Sequence, residues 1–115
     1  VASVYSYIRL AKELEPLLNE DASVLTLSYL GSQRAMPSYN VMGVAKAALE
    51  SATRYLALDL GAKGVRVNTL SPGPVNTISG RGVPGLSGMI KQVHELAPLK
   101  RQYGQEEVAS NAMWL

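Results

Sequence analysis

The strongest constraint on the fold is a long helical segment that lies between two short strand-like runs. In residues 39–60, apolar side chains recur at the three- and four-residue steps of one helix face. Residues 23–28 and 65–70 are short runs rich in branched apolar side chains, which is typical of buried strands. Because a helix between two strands favours a parallel pair, we predict an α/β fold with a right-handed crossover.

Two apolar stripes and one glycine-rich stretch divide the chain. The broad stripe of residues 39–60 comprises Val41, Val44, Ala45, Ala48, Leu49, Ala52, Tyr55 and Leu56. A second stripe predicts a helix over residues 2–18. It is formed by Val4, Ile8, Ala11 and Leu18. Glycine, serine and proline dominate residues 75–87, which predicts a loop, and two shorter helices are expected at residues 89–97 and 106–115.

Composition argues against several kinds of site. The chain has no cysteine and one histidine, so we expect no disulfide, no thiol nucleophile and no metal centre. Its eleven basic and nine acidic residues are mixed along the chain, so the net charge of +2 does not indicate nucleic-acid binding. No apolar stretch is long enough to cross a membrane, and we therefore expect a soluble protein.

Tyr39 and Lys46 form a candidate catalytic pair. They are seven residues apart, and seven helical steps come within about 20° of two full turns, so both side chains are expected on one helix face. A nearby ammonium favours the ionised form of tyrosine and strengthens the phenol as a hydrogen-bond donor to a carbonyl oxygen. The spacing alone leaves open that Tyr39 is an ordinary aromatic at the helix start and that Lys46 is a solvated charge.

The sequence around this pair resembles the enoyl-acyl-carrier-protein reductases of the short-chain dehydrogenase/reductase superfamily. The matching segments are LSYLG at 27–31, PSYNVMGVAKAALE at 37–50, GVRVN at 64–68 and SPGPV at 71–75. Most members of the superfamily place the active tyrosine four residues before the lysine, where this chain has Met42. Enoyl reductases are similar to this chain in leaving six residues between the two. They also carry a second tyrosine seventeen residues before the lysine, here Tyr29, where carbonyl-reducing relatives keep a serine.

This resemblance implies an NADH-dependent reductase of trans-2-enoyl thioesters on acyl carrier protein, acting in fatty-acid elongation. Tyr39 would donate a hydrogen bond to the thioester carbonyl oxygen. Lys46 would hold the ribose hydroxyls of the nicotinamide, and Tyr29 would line the acyl pocket. The family also implies a homotetramer in the bacterial cytoplasm or the plastid stroma.

The resemblance further implies which residues bind NADH. The backbone of Val75 and the side chain of Thr77 would contact the cofactor amide and phosphates, although Asn76 stands where many relatives carry a basic residue. The full cofactor-binding set is Ser28, Lys46, Gly73, Pro74, Val75, Thr77 and Ser79. Residues 78–87 correspond to the substrate-binding lid. Their G-x-G-x-x-G pattern at 80–85 fails as a dinucleotide fingerprint, because no strand leads into it and a proline interrupts it.

By the same resemblance, residues 1–115 form the C-terminal portion of one Rossmann-like reductase domain with a doubly wound parallel sheet. The dinucleotide-binding half is expected to be absent, because no segment offers a strand, a glycine-rich turn and a helix for the pyrophosphate. We therefore expect the isolated chain to be inactive and to bind NADH weakly. Two alternatives are a carbonyl-reducing member of the superfamily, which Met42 and Tyr29 disfavour, and a non-catalytic interaction module.

Overall fold

Helices and two strands make up the regular structure of the computed structural model, which describes residues 2–115. The helices are α1 (Ala2–Leu14), α2 (Val41–Gly61), α3 (Leu86–Leu96) and α4 (Gln105–Trp114). The strands are β1 (Ser23–Leu27) and β2 (Arg66–Leu70). Short 3-10 turns lie at Glu15–Leu17, Leu30–Ser32 and Gly80–Gly82. The predicted α/β class is confirmed.

Strands β1 and β2 pair in parallel, in register from Ser23 opposite Arg66 to Leu27 opposite Leu70. The ladder extends one bond further, because the Ser28 amide donates to the Leu70 carbonyl oxygen at 2.9 Å. A parallel pair cannot be joined by a tight turn, and the 21-residue helix α2 supplies the crossover. The predicted parallel pairing is confirmed, and both strands lie within one residue of their predicted bounds.

The core packs the last turn of α2 against the start of β2. Leu60, Val65 and Val67 are buried there. The partly buried apolar side chains that pack against them are Tyr7, Leu18, Ala22, Val24, Leu56 and Ala57. Gly64 turns the chain between α2 and β2 with φ of 73°, a left-handed conformation that carries no Cβ penalty in glycine. Helix α2 therefore starts near the carboxyl end of β1 and ends near the amino end of β2.

Helix α1 ends four residues earlier than predicted. It stops at Leu14, and a 3-10 turn over Glu15–Leu17 follows it. Pro16 explains the difference, because proline has no N–H to donate and its ring clashes with the carbonyl of the preceding turn. The apolar periodicity continued past this residue and therefore overstated the length of the helix.

The stripe predicted for α2 was too wide. Its exposed members include Val41 (65%), Val44 (70%) and Tyr55 (68%). The buried face comprises Gly43, Ala45, Leu49, Thr53 and Leu60. Thr53 joins this face because its hydroxyl is satisfied, by the Leu49 carbonyl oxygen at 3.0 Å and by the Thr69 hydroxyl at 2.7 Å. The sheet covers only part of the apolar surface of α2.

The described residues form two compact units. The first extends to Ser71 and includes Leu115, and the second is Pro72–Trp114. In the second unit, residues 72–79 contain neither helix nor strand, and α3 begins three residues earlier than predicted, at Leu86. Within residues 2–115, no helix combines the length and the apolar character that a membrane crossing requires.

Candidate active site

Tyr29 lies just beyond the carboxyl end of β1. Its backbone is extended, with φ of −155° and ψ of 153°, and the 3-10 turn Leu30–Ser32 follows directly. The preceding Ser28 is buried, with 5% of its surface exposed. The end of a parallel strand is where α/β folds bind ligands, and Tyr29 lies at such an end.

Tyr39 lies before α2 rather than inside it, which corrects the predicted placement. The helix begins at Val41, and the Tyr39 carbonyl oxygen accepts the Met42 amide at 3.0 Å in the turn that leads into it. On either side of Tyr39, Ser38 and Asn40 have positive φ values of 64° and 43°. A positive φ at a non-glycine residue is uncommon, and such residues cluster at functional sites. This turn, and not a shared helix face with Lys46, determines where the Tyr39 ring lies.

The two tyrosine rings contact each other. The ring centroids of Tyr29 and Tyr39 are 4.8 Å apart, and the rings meet edge to face at 61°, an arrangement that aromatic pairs favour. The sequence predicted a site role for each tyrosine. The structure brings the two together within the first unit.

Two glycines make this arrangement possible, and the sequence analysis did not single them out. A Cβ at Gly31 would collide with the Tyr39 ring and lie 3.3 Å from Cδ1 of Tyr29. A Cβ at Gly43 would lie 2.6 Å from the Gly31 carbonyl oxygen. An isolated glycine inside a helix costs about 1 kcal/mol relative to alanine, so Gly43 was a signal of close backbone approach in the sequence.

Lys46 reaches the end of β1 from the second turn of α2. Its Nζ donates to the Leu27 carbonyl oxygen at 2.8 Å. An ammonium has three N–H donors, so this bond leaves two of them for other acceptors. Lys46 is thus held at the carboxyl edge of the sheet by Leu27, which lies two residues before Tyr29.

The pKa of Tyr39 is raised above its ordinary value of 10.0, first by burial and then by the neighbouring Tyr29. This direction contradicts the expectation that an ammonium favours the ionised form. The physical reason is that Tyr39 lies against a second ring and a glycine, where the phenolate loses hydration. Tyr39 is consequently a neutral phenol at physiological pH, with its O–H available as a donor.

Glu50 is a site residue that the sequence analysis missed. It lies one turn after Lys46 on α2, and its Oε1 accepts the Ser28 hydroxyl at 2.6 Å and also the Ser32 hydroxyl. The hydrogen bond from Ser28, followed by the one from Ser32, lowers the pKa of Glu50. Ser28 was predicted to bind cofactor. Its hydroxyl is engaged by Glu50, and the cofactor role stays a prediction.

The remaining predicted residues lie in the second unit. Of these, Pro74, Val75 and Thr77 are partly buried, and Gly73 and Ser79 are exposed. Thr77 shapes the chain locally, because its Oγ1 accepts the Gly80 amide at 2.9 Å. Among the described residues no strand leads into Gly80, which instead begins a 3-10 turn. The strand that a dinucleotide fingerprint requires does not precede Gly80 in residues 2–115.

The side chains of Tyr103 and Gln105 contact the segment that carries Gly73 and Asn76. The Tyr103 hydroxyl lies so close to Gly73 that a Cβ there would collide with it. Gln105 Nε2 donates to the Asn76 carbonyl oxygen at 3.2 Å. Burial raises the pKa of Tyr103, so its phenol also stays neutral. The sequence offered no signal for Tyr103, because its partner is thirty residues away and shares no periodic pattern with it.

Among the described residues, neither the region around Tyr29 and Tyr39 nor the segment around Gly73 gathers a set of metal ligands. Across residues 2–115, no group of three or more histidine, aspartate or glutamate side chains is positioned to hold a metal ion. The Glu50 carboxylate instead accepts hydrogen bonds from the hydroxyls of Ser28 and Ser32.

Comparison with protein families gives a match over residues 1–115 to the model described as "Enoyl-(Acyl carrier protein) reductase". Among curated proteins, the chain is 48% identical over 113 residues to the enoyl-[acyl-carrier-protein] reductase [NADH] of Rickettsia bellii, which covers 98% of this chain and 43% of the relative. It is also 48% identical to the enzyme of the same name from Nostoc, with 98% and 44% covered. The chain thus spans less than half the length of these relatives.

Solved structures give the same result. The Bacillus cereus enoyl-acyl carrier protein reductase, crystallised with NADP+ and indole naphthyridinone, superposes with a TM-score of 0.90 at 45% identity. That match covers 96% of this chain and 43% of the other. The Aquifex aeolicus enoyl-[acyl-carrier-protein] reductase (NADH) superposes with a TM-score of 0.88 at 41% identity, covering 98% and 44%.

Proposed function

Because the chain belongs to the enoyl-(acyl carrier protein) reductase family, we propose that it forms the C-terminal portion of an NADH-dependent reductase of trans-2-enoyl thioesters. The substrate is carried by acyl carrier protein, and the reaction serves fatty-acid elongation in the bacterial cytoplasm or the plastid stroma. One observation carries the proposal: Tyr29 and Tyr39 meet edge to face beside Gly31, at the strand end that Lys46 also reaches. A carbonyl-reducing relative would have neither tyrosine at these positions.

NADH supplies the hydride that is added to the β-carbon of the enoyl thioester. Negative charge then develops on the thioester oxygen, and the Tyr39 phenol donates a hydrogen bond to it. This contact accelerates the reaction because it is stronger when the oxygen is charged than when it is neutral. The role requires a protonated phenol, and the pKa of Tyr39, which burial raises above its ordinary value, is consistent with one. Tyr29, in contact with the Tyr39 ring, lines the acyl pocket.

Lys46 fits the ribose of NADH chemically. After its bond to the Leu27 carbonyl oxygen, two N–H donors remain, and neighbouring ribose hydroxyls are suitable acceptors. The roles proposed for Gly73, Pro74, Val75, Thr77 and Ser79 rest on the family resemblance. The contacts that Tyr103 and Gln105 make with this segment support them, because a fixed backbone is a better binding surface than a free one.

The proposal is tested with the full-length protein, by following NADH absorbance in the presence of trans-2-enoyl and β-ketoacyl thioesters of acyl carrier protein. We expect oxidation of NADH with the enoyl substrate and none with the ketoacyl substrate. The isolated chain of residues 1–115 serves as a negative control, and we expect no tight NADH binding from it. Reduction of the ketoacyl substrate alone would replace this assignment with the carbonyl-reducing one.

A homotetramer is proposed for the full-length protein. The two longest helices leave large apolar side chains exposed. On α1 these include Tyr5 (67%) and Leu10 (58%), and on α2 Val41 (65%), Val44 (70%) and Leu58 (76%). Apolar surface of this extent marks an interaction site, and the family pairs the equivalent helices across two-fold axes. Light scattering at micromolar concentration should give the mass of four chains, and a monomeric mass would contradict the proposal.

A further inference from the structure

One carboxylate oxygen joins the two ends of the segment that carries Tyr29. Oε1 of Glu50 accepts the hydroxyl of Ser28, immediately before Tyr29, and the hydroxyl of Ser32, three residues after it. Ser28 is 5% exposed, so its bond to Glu50 is shielded from competing water. Hydrogen bonds to an ionised acceptor are stronger than neutral ones, and both bonds therefore fix residues 28–32 firmly to α2.

A shift of this segment would move both tyrosines. Tyr29 belongs to it, and so does Gly31, which lies between the Tyr39 ring on one side and Gly43 on the other. Neither Gly31 nor Gly43 has room for a Cβ, so the Tyr39 ring and the two backbone segments are in direct contact. The Tyr39 ring therefore rests on the backbone of Gly31. The bonds of Ser28 and Ser32 to Glu50 hold that backbone in place.

The anchor on α2 extends over one helical turn. Lys46 Nζ bonds the Leu27 carbonyl oxygen at 2.8 Å, and Glu50, four residues later, bonds the two serines. Residues 27–32 are thus held by α2 at three points. Arg54, one turn further along, is the charged group that acts on Glu50.

We propose that Glu50 is a positioning residue, which orients Tyr29 and Tyr39 for the reaction by holding Ser28 and Ser32. The idea that this orientation serves enoyl reduction rests on the function proposed above. The arrangement of the rings does not depend on that function. A displacement of about 1 Å in a reacting group can lower turnover by as much as a hundredfold, which is why a residue outside the contact can control the rate.

The test compares three variants of the full-length protein. Glu50→Ala removes the acceptor, Glu50→Gln keeps an Oε1 acceptor without the charge, and Asp59→Asn removes a carboxylate from the same helix at an exposed position. We expect Glu50→Ala to lower kcat for the enoyl thioester about tenfold or more. The Kd for NADH should change less than kcat does, because Lys46 keeps the ammonium proposed to hold the ribose. Glu50→Gln should recover most of the turnover, and Asp59→Asn should equal the unaltered protein.

A crystal structure of Glu50→Ala gives the second readout. The ring centroids of Tyr29 and Tyr39 should move from their separation of 4.8 Å, and Ser32→Ala should add no further loss of turnover in the Glu50→Ala background. Unchanged rings, or a lower Tm with unchanged kcat, would overturn the proposal. If the unaltered protein fails to reduce enoyl thioesters, the proposed function fails while the ring geometry still tests Glu50. Should Glu50→Ala not fold, Ser32→Ala carries both measurements, because it removes one of the two hydroxyls that Glu50 holds; kcat should then fall and the ring centroids should move, and no change in either would overturn the proposal.

Discussion

Replacing Tyr39 with phenylalanine in the full-length reductase should lower the turnover of enoyl thioesters by roughly ten- to a thousandfold, which includes the loss of about a hundred- to a thousandfold typical of one oxyanion donor. Phenylalanine keeps the ring, so the edge-to-face contact with Tyr29 and the packing on Gly31 should persist. The loss would therefore report the hydroxyl alone. NADH affinity should barely change, because the phenol acts on the reacting oxygen and not on the cofactor.

Turnover and NADH affinity are measured for Tyr39→Phe beside Tyr55→Phe, which removes a hydroxyl from an exposed tyrosine of α2. Tyr55→Phe should have the turnover of the unaltered enzyme. Tyr29→Phe should lose less turnover than Tyr39→Phe, because Tyr29 lines the pocket and does not bond the reacting oxygen. If Tyr39→Phe retained full activity while substitutions at Tyr29 or Met42 abolished it, the assignment of Tyr39 as the donor would be withdrawn.

The pH dependence gives an additional check on the same residue. Burial raises the pKa of Tyr39 above 10.0, and the donor is the protonated phenol. Activity that depends on this O–H should be fully present below pH 10 and should be lost as the pH rises through the elevated pKa. The opposite result would be a loss of kcat near neutral pH that Tyr39→Phe does not show. It would mean that the pKa of Tyr39 is lowered, which contradicts the expected direction.

Much of the fold could be predicted because its strands and central helix have local patterns. The branched apolar runs located β1 and β2 to within one residue, and the helix between them required parallel pairing. Two of the errors in helix bounds arose where a local feature ended or delayed a helix although the apolar periodicity continued. Pro16 ended α1 early, and the turn with positive φ at Ser38 and Asn40 placed Tyr39 outside α2.

The candidate site was less predictable, because its contacts join residues that are distant in sequence. The spacing of Tyr29, Tyr39 and Lys46 identified these residues only through the family resemblance. Glu50 was missed because its serine partners lie eighteen and twenty-two positions away, and no periodicity connects a carboxylate with two hydroxyls. A carboxylate that is engaged by two hydroxyls is a property of the folded chain.

Replacing Lys46 with methionine should weaken NADH binding as well as turnover, in contrast to Tyr39→Phe. The ammonium makes its contact with the ribose hydroxyls before the reaction begins, so its loss affects the bound ground state. Hydrogen bonds to charged groups contribute about 1.5–3 kcal/mol, which corresponds to a Kd for NADH about ten- to a hundredfold higher. Turnover should fall in addition, because the bond between Nζ and the Leu27 carbonyl oxygen also disappears and releases one of the three points that hold residues 27–32.

The matched control for Lys46→Met is Lys63→Met. Lys63 also donates from its Nζ, to Glu15 at 2.6 Å, but the pair is on the surface, with side chains 52% and 43% exposed. Exposed ion pairs contribute about 0–1 kcal/mol, so this variant should keep its NADH affinity and its turnover. Fluorescence titration with NADH and steady-state kinetics distinguish the two lysines. If Lys46→Met bound NADH as well as Lys63→Met does, the ammonium would not contact the ribose, and Lys46 would serve only to hold the end of β1 against α2.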